Sequence, residues 1–183
     1  MELFWYDIRT MSQAEYDSAV AGMTSERRQQ LSDAATDDDR RRMAGCELLV
    51  RQHLGADAAI TFDAIGRITT GREGRYISTA ASGAWAVCAV GDRPMETVVE
   101  VIRGAQEKFI ARSLTEAEAH YVRYGDDGCF ARFWECWTAK EALFKLTGQG
   151  PLLALSAFDL PSDVALDHVK DHGCTVVTAM RLG

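Results

Sequence analysis

The sequence predicts an α+β protein built from two similar halves, each a small antiparallel sheet packed with helices. Apolar runs of strand type and amphipathic runs of helical spacing alternate along the chain. Their order is strands, helix, strands, then helices and strands, which suggests two similar α+β halves. We place the junction near residue 102, giving an N-terminal half over 1–102 and a C-terminal half over 103–183.

The N-terminal half is predicted to hold helices and a small antiparallel sheet. Residues 13–32 carry two short helical patterns. Residues 36–54 form the clearest helix, because Thr36 or Asp37 can cap its start and Gly55 can end it. The turn sequence GDRP, at 91–94, joins the last two strand segments into the same sheet. The strand segments are 2–7, 58–68, 75–79, 85–90 and 96–101.

The C-terminal half is predicted to contain three helices followed by closing strands. The first helix covers about 103–112, and the second begins with a capping box formed by Thr115 and Glu118. The third helix, which carries the site discussed below, covers about 130–146 and ends at Gly148 and Gly150. Closing strands are expected at 152–160 and 175–180.

Composition and charge limit the classes of function. Hydrophobic residues make up 47% and charged residues 26% of 183 residues, which is typical of a soluble globular protein. The net charge of −7 argues against general nucleic-acid binding. No apolar run reaches the roughly 18 residues of a membrane span, and the N-terminus lacks signal-peptide features, so we expect no membrane association and a cytoplasmic protein.

The five cysteines are irregularly spaced and contain no CxxC pair, which predicts reduced thiols. His168, His172 and Cys174 have a spacing that could contact a metal ion. Because no second cluster of ligands accompanies them, a polar loop near the C-terminus is the preferred interpretation.

Glu141 lies among aromatic residues on the third helix of the C-terminal half. On a helical wheel it falls roughly 20° from Phe130, near the middle of an apolar face, with Lys140 and Lys145 near the two edges. A carboxylate in such a place is costly to bury unless a lysine, a metal ion or a bound ligand compensates its charge. The same face carries Phe133, Trp134, Trp137 and Phe144.

The segment WTAKEALFKLTGQG, residues 137–150, resembles the W-x-x-K-E-x-x-x-K motif of the 4′-phosphopantetheinyl transferases and the Gly-x-Gly that follows it. Further segments stand in that family's order over roughly 3–160: MTSERRQQL, RRRMAGCELLVR, GRI, SGAWAVCAV and SLTEAEAHYV. The resemblance is nearest to the surfactin-type branch, which implies a monomer built as a pseudo-dimer of two α+β halves. It also implies Mg²⁺-dependent transfer of the phosphopantetheine arm of coenzyme A to a serine of an acyl or peptidyl carrier protein.

The resemblance also implies roles for individual residues. Glu141 would bind Mg²⁺ at a cleft between the halves, with Glu100 as a second ligand, and could accept the serine proton. Lys140 and Lys145 would neutralise the pyrophosphate and, with Glu141, make up the catalytic set. The implied contacts to coenzyme A are Arg27, Arg42, Arg67, Ser82, Lys140 and Lys145.

The chain departs from the family pattern at several of these positions. Val98 stands where the family has a metal-binding aspartate, and Ala81 stands where it has a histidine. Arg67, in Gly66-Arg67-Ile68, replaces a lysine but can still bind phosphate. Glu96, two residues before Val98 on the same face of a strand, is a candidate to replace the lost ligand. Gln30 and Met43 also replace a basic and a hydroxyl residue, and Asp92 is a poorer substitute ligand because it lies in a turn.

Two interpretations of the same fold remain open from the sequence. The first is an active, divergent transferase that holds Mg²⁺ through Glu100, Glu141 and water. The second is an impaired homologue that binds coenzyme A or a carrier protein without transfer.

Simpler interpretations also exist. Glu141 and Lys145 have the spacing of an ordinary helical ion pair, and the arginines could be solvated surface. A non-enzymatic interaction module would use the helix near TEAEAHYVRY instead of the motif. A small acyltransferase is disfavoured, because the chain lacks a His-x-x-x-x-Asp string.

Overall fold

A computed structural model describes residues 1–55, 60–63, 67–69, 74–126, 128–149 and 151–183. The fold is α+β, as predicted, and the chain divides into two compact units, Met1–Asp92 and Arg93–Gly183. The division precedes the predicted junction at residue 102, because the strand Met95–Val101 hydrogen-bonds within the sheet of the second unit. In the described part of the chain, no helix has both the length and the hydropathy to cross a membrane.

The first unit has a three-stranded antiparallel sheet of order β1 (Glu2–Asp7), β5 (Trp85–Gly91) and β4 (Tyr76–Ser82). Helix α3 (Asp37–Leu54) packs against this sheet, and the two helices before it pack against α3. The strand segments at 2–7 and 85–90 are confirmed as β1 and β5, which pair along their whole length. A Cβ at Gly45 would lie 3.1 Å from Ala86 Cβ, so glycine allows α3 to approach β5 closely. The elements are β1 Glu2–Asp7, α1 Gln13–Gly22, α2 Ser25–Asp33, α3 Asp37–Leu54, β2 Thr61–Phe62, β3 Ile68–Thr69, β4 Tyr76–Ser82 and β5 Trp85–Gly91.

The second unit also has a three-stranded antiparallel sheet, of order β6 (Met95–Val101), β8 (Cys174–Arg181) and β7 (Val164–Asp171). The long helix α6 (Cys129–Thr147) covers one face of this sheet, where Val98 and Val177 pack with Ala139 and Ala142. On the other face the Thr178 hydroxyl donates to Thr97 Oγ1 at 3.0 Å. The elements are β6 Met95–Val101, α4 Glu107–Ser113, α5 Glu116–Tyr124, α6 Cys129–Thr147, β7 Val164–Asp171 and β8 Cys174–Arg181.

The helix ends follow the local sequence signals. The Thr36 side chain accepts from the backbone N–H of Asp39 in a full capping box, and Thr115 and Glu118 form another. Gly148 ends α6 with φ +65°, in the left-handed region where a side chain would be strained. These three predictions are confirmed, whereas Gly150 lies outside the described residues.

Three strand predictions are wrong or incomplete. The predicted strand 58–68 is, among its described residues, only the short pair β2 and β3, and residues 58, 59 and 64–66 lie outside the description. The turn at 91–94 does not return β6 to the sheet of β5, because β6 pairs with β8. Residues 152–160 form a 3₁₀ turn at Leu152–Ala154 and a loop instead of a strand.

The predicted C-terminal loop is a β-hairpin. His168 lies within β7 and Cys174 begins β8, while His172, with φ 52°, forms the tight turn between them with Gly173. The charged residues of VALDHVKD obscure the alternation of apolar and polar residues that predicts a strand. Such charges are common in an edge strand, which is the position of β7 in its sheet. The helix expected from residue 103 begins later, at Glu107.

Candidate active site

Two carboxylates come together in the second unit, Glu100 on β6 and Glu141 on α6. Side chains alternate along a strand, so Glu100 faces the same way as Val98, which packs beneath α6. Burial raises the pKa of the Glu141 carboxyl, and the negative charge of Glu100 raises it further. Lys145 and a hydrogen bond from Trp137 act in the opposite direction. The site therefore combines two neighbouring carboxylates with one lysine.

The aromatic face around Glu141 is only partly buried, which corrects the wheel-based expectation. Phe130 is 39% and Phe144 is 42% exposed, and Glu141 itself is half-buried. The sheet-facing side of α6 lies instead at Ala139 and Ala142, whose small side chains let the helix approach the strands. Glu141 thus sits at the edge of the core, where a carboxylate keeps access to a ligand.

Lys140 is used inside the protein. Its side chain is 0% exposed, and its Nζ lies 2.7 Å from Glu118 Oε2 and donates to the Ser113 carbonyl at 2.6 Å. The other Glu118 oxygen accepts from the backbone N–H of Ala157 at 2.7 Å. The Lys140–Glu118 pair therefore connects α6 to the end of α4, the start of α5 and the loop after α6. The expected contact between Lys140 and the pyrophosphate is not compatible with this burial.

The arginines expected to contact coenzyme A lie in the first unit, in two groups. The Arg27 guanidinium lies 4.7 Å above the centre of the Phe62 ring, and Arg67 is paired with the adjacent Asp63 at 2.6 Å. Gln30, where the resemblance implies a basic residue, accepts from Arg27 Nη1 at 2.9 Å. Gly66 lies outside the described residues.

The second group lies at the end of β4. Arg42 donates to the Gly83 carbonyl at 2.9 Å and is also paired with Asp39. Ser82, the neighbour of Gly83, is buried. Ala81, where the resemblance implies a histidine, packs against the apolar core of the first unit.

Residues 95–173 match the family model of the 4′-phosphopantetheinyl transferase superfamily. The superfamily match begins in β6 and includes Glu100, Glu141 and Lys145, but it covers less than half of the chain and none of the first unit. A search of curated proteins finds none that matches the chain. The predicted resemblance is confirmed at the level of this superfamily match, and the surfactin-type branch stays a prediction.

The superfamily match raises the question of whether these residues fit a magnesium ion. Among the described residues, no group of three or more carboxylate, histidine or cysteine side chains is placed to hold a metal. Mg²⁺ usually takes one or two protein carboxylates and completes its shell with water and phosphate oxygens. Glu100 and Glu141 therefore fit Mg²⁺ bound together with a pyrophosphate, and they do not fit a cage made by protein alone.

Glu96 is poorly placed to replace the aspartate of the family pattern. Four residues of strand separate Glu96 from Glu100 by about 13 Å. Val98 lies between them, and α6 occupies the space above it. A cation close to both glutamates would have to displace this packing.

The raised pKa of Glu141 makes a prediction about stability. Because folding favours its protonated form, the carboxyl contributes most below its ordinary pKa of 4.5 and loses this contribution as pH rises through the raised value. Glu141→Gln should therefore gain stability relative to the wild-type chain as pH increases above about 4.5 in metal-free buffer. Urea midpoints of both proteins, measured across this range with a chelator present, test the slope.

Glu107→Gln is the matched control, since Glu107 is an exposed glutamate of α4. Comparing the two variants separates the loss of an exposed carboxylate from the loss of a half-buried one. A stability difference for Glu141→Gln that stays flat with pH would contradict the raised pKa.

Sequence reasoning missed the second role of Glu118. The capping box at the start of α5 already explains Glu118, so the sequence gives no reason to expect an ion pair with Lys140 as well. A signal was present at the other end of the pair, because the i−4 and i+3 neighbours of Lys140 are Cys136 and Leu143, both buried. A lysine flanked in this way needs an internal counter-charge.

Proposed function

We propose that the chain transfers the 4′-phosphopantetheine arm of coenzyme A to a serine of an acyl or peptidyl carrier protein. The observation that carries the proposal is the meeting of Glu100 and Glu141, with Lys145, inside the residues that match the superfamily. The order of the motifs over roughly residues 3–160 supports the surfactin-type branch. We propose that the protein acts as a monomer in the cytoplasm. We expect no nucleic acid and no membrane to take part.

In the proposed reaction, the serine oxygen forms a bond to the β-phosphorus of coenzyme A. The bond to the bridging oxygen of the pyrophosphate breaks, and 3′,5′-adenosine bisphosphate leaves. Lys145 contacts the pyrophosphate and offsets its charge. Glu141 is assigned as the acceptor of the serine proton, as the resemblance implies.

Glu100 and Glu141 would hold the Mg²⁺ ion that this chemistry calls for. When bound, the ion supplies positive charge at the pyrophosphate oxygens. Arg27, Arg42, Arg67 and Ser82 stay predicted contacts to coenzyme A, as the resemblance implies. Lys140 takes no part in this assignment, because its ammonium group is enclosed by Glu118 and Ser113.

Mass spectrometry of carrier proteins tests the proposal directly. Purified protein, coenzyme A and Mg²⁺ are incubated with a panel of apo acyl and peptidyl carrier proteins. A mass gain of one phosphopantetheine, absent when the carrier serine is replaced by alanine, is the expected result. No gain on any carrier at any Mg²⁺ concentration would contradict transfer.

A second candidate is a homologue that binds coenzyme A or a carrier protein without transferring the arm. Val98 favours it, because a buried valine occupies the place of a metal ligand and α6 packs over it. Calorimetric binding of coenzyme A without any mass gain would support this candidate.

Carrier binding without coenzyme A binding would instead point to an interaction module. The exposed side of α5 would be its surface, with Tyr124 65% exposed. In that case Lys145→Ala would leave carrier binding unchanged.

A further inference from the structure

Thr175 has a buried hydroxyl group that makes no hydrogen bond to the described residues. The residue is 0% exposed, and its Oγ1 has no hydrogen-bond partner among the described residues. Thr178, on the same strand, is equally buried, but its hydroxyl donates to Thr97. An unpaired buried hydroxyl is unfavourable, so Thr175 calls for an explanation that Thr178 does not.

The strand register places Thr175 beside the candidate active site. It lies directly opposite Glu100 on β6 and opposite Lys170 on β7. Alternation along β8 puts Thr175 on the face of Val177, which is the face covered by α6. Side chains of directly opposed residues stand about 5 Å apart at their Cβ atoms, within reach of a hydroxyl and a carboxylate.

We propose that Thr175 is a positioning residue for Glu100. Its hydroxyl donates to the Glu100 carboxylate, or to a water bound there, when that carboxylate is directed at a divalent cation. A carboxylate has about four acceptor sites, so it can bind a cation and still accept from a hydroxyl. Such outer hydrogen bonds fix the orientation of metal ligands and strengthen metal binding. The inference rests on the proposed function, because it assigns a use to the Glu100–Glu141 pair.

A purely structural role is the alternative. Lys170 contacts Glu135 on α6 at 3.0 Å, and His168 lies 3.4 Å from the same carboxylate, so Thr175 is also close to a polar group of β7 and α6. If the hydroxyl served only this side of the sheet, its removal would change stability and leave cation binding unaffected.

Thr175→Val separates the two roles, because valine keeps the shape and removes the hydroxyl. The probe is Mn²⁺, titrated in the presence of coenzyme A, with free Mn²⁺ read by electron paramagnetic resonance. We expect the dissociation constant to rise about 10-fold. The urea midpoint of the metal-free protein should stay the same or rise, since a methyl group replaces an unpaired hydroxyl. Thr175→Ser should restore Mn²⁺ affinity.

Thr178→Val is the matched control on the same strand. It should lower the urea midpoint, because the hydrogen bond from Thr178 to Thr97 is lost, and leave the Mn²⁺ affinity unchanged. Equal Mn²⁺ affinity of Thr175→Val and the wild-type protein would overturn the inference alone. Failure of the wild-type protein to bind Mn²⁺ with coenzyme A would overturn both the inference and the metal-dependent function on which it rests.

Discussion

Glu141→Gln is expected to reduce phosphopantetheine transfer about 100-fold or more, because it removes a charged ligand and a proton acceptor in one step. Glutamine keeps the size of the side chain, so the packing of α6 should survive. The relevant quantity is kcat/KM for the carrier protein, measured from the rate at which its mass increases. The urea midpoint, measured alongside, should not fall at neutral pH, which separates lost chemistry from lost fold.

Glu107→Gln again serves as the control and should keep wild-type activity, since Glu107 is exposed on α4. Glu100→Gln should also lower kcat/KM. Because both glutamates would bind the same ion, kcat/KM of the double variant should be only slightly lower than that of the less active single variant. A Glu141→Gln protein that retains activity within about twofold would refute the assignment of this residue.

Lys140→Met is expected to destabilise the protein by about 3–5 kcal/mol, because it leaves the buried carboxylate of Glu118 without its counter-charge. The Ser113 carbonyl loses its donor in the same change. Urea denaturation followed by circular dichroism measures the loss. Adding Glu118→Gln should recover part of it, since the uncompensated charge disappears while the Ala157 N–H keeps an acceptor.

Lys145→Met makes the matched comparison on the same helix. Lys145 is half-buried and near Glu141, so its loss should change stability by only about 1 kcal/mol or less but strongly reduce transfer. If Lys140→Met instead kept its urea midpoint and lost only activity, the buried ion pair would not be its main role. The two lysines of one motif are thus expected to separate into a structural and a reactive residue.

Features written in short stretches of sequence could be predicted. Helix starts at Thr36 and Thr115 depend on bonds to residues three positions away, and the end of α6 depends on the backbone freedom of Gly148. The motif glutamate was identified because its surroundings on the helical wheel were unusual. Each of these signals is complete within one or two turns of helix.

Features that depend on distant partners could not be predicted. Strand β6 pairs with β8, but its apolar sequence is equally suited to the sheet of the first unit and to that of the second. The sequence predicts a ligand contact for Lys140 because its actual partner, Glu118, lies on another helix and cannot be identified from the motif. The unpaired hydroxyl of Thr175 has no sequence signature, because only the register of three strands sets it beside Glu100.

The strand order of the second unit also has a consequence for synthesis. β8 is the central strand, yet β6 leaves the ribosome before it, separated by three helices and β7. Until β8 emerges, β6 has no partner in its sheet, so folding of this unit depends on long-range closure and is expected to be slow. A chain cut at residue 173, where the superfamily match ends, would lack β8 altogether. The residues that match the superfamily are therefore fewer than the residues that must fold to form the sheet of the candidate site.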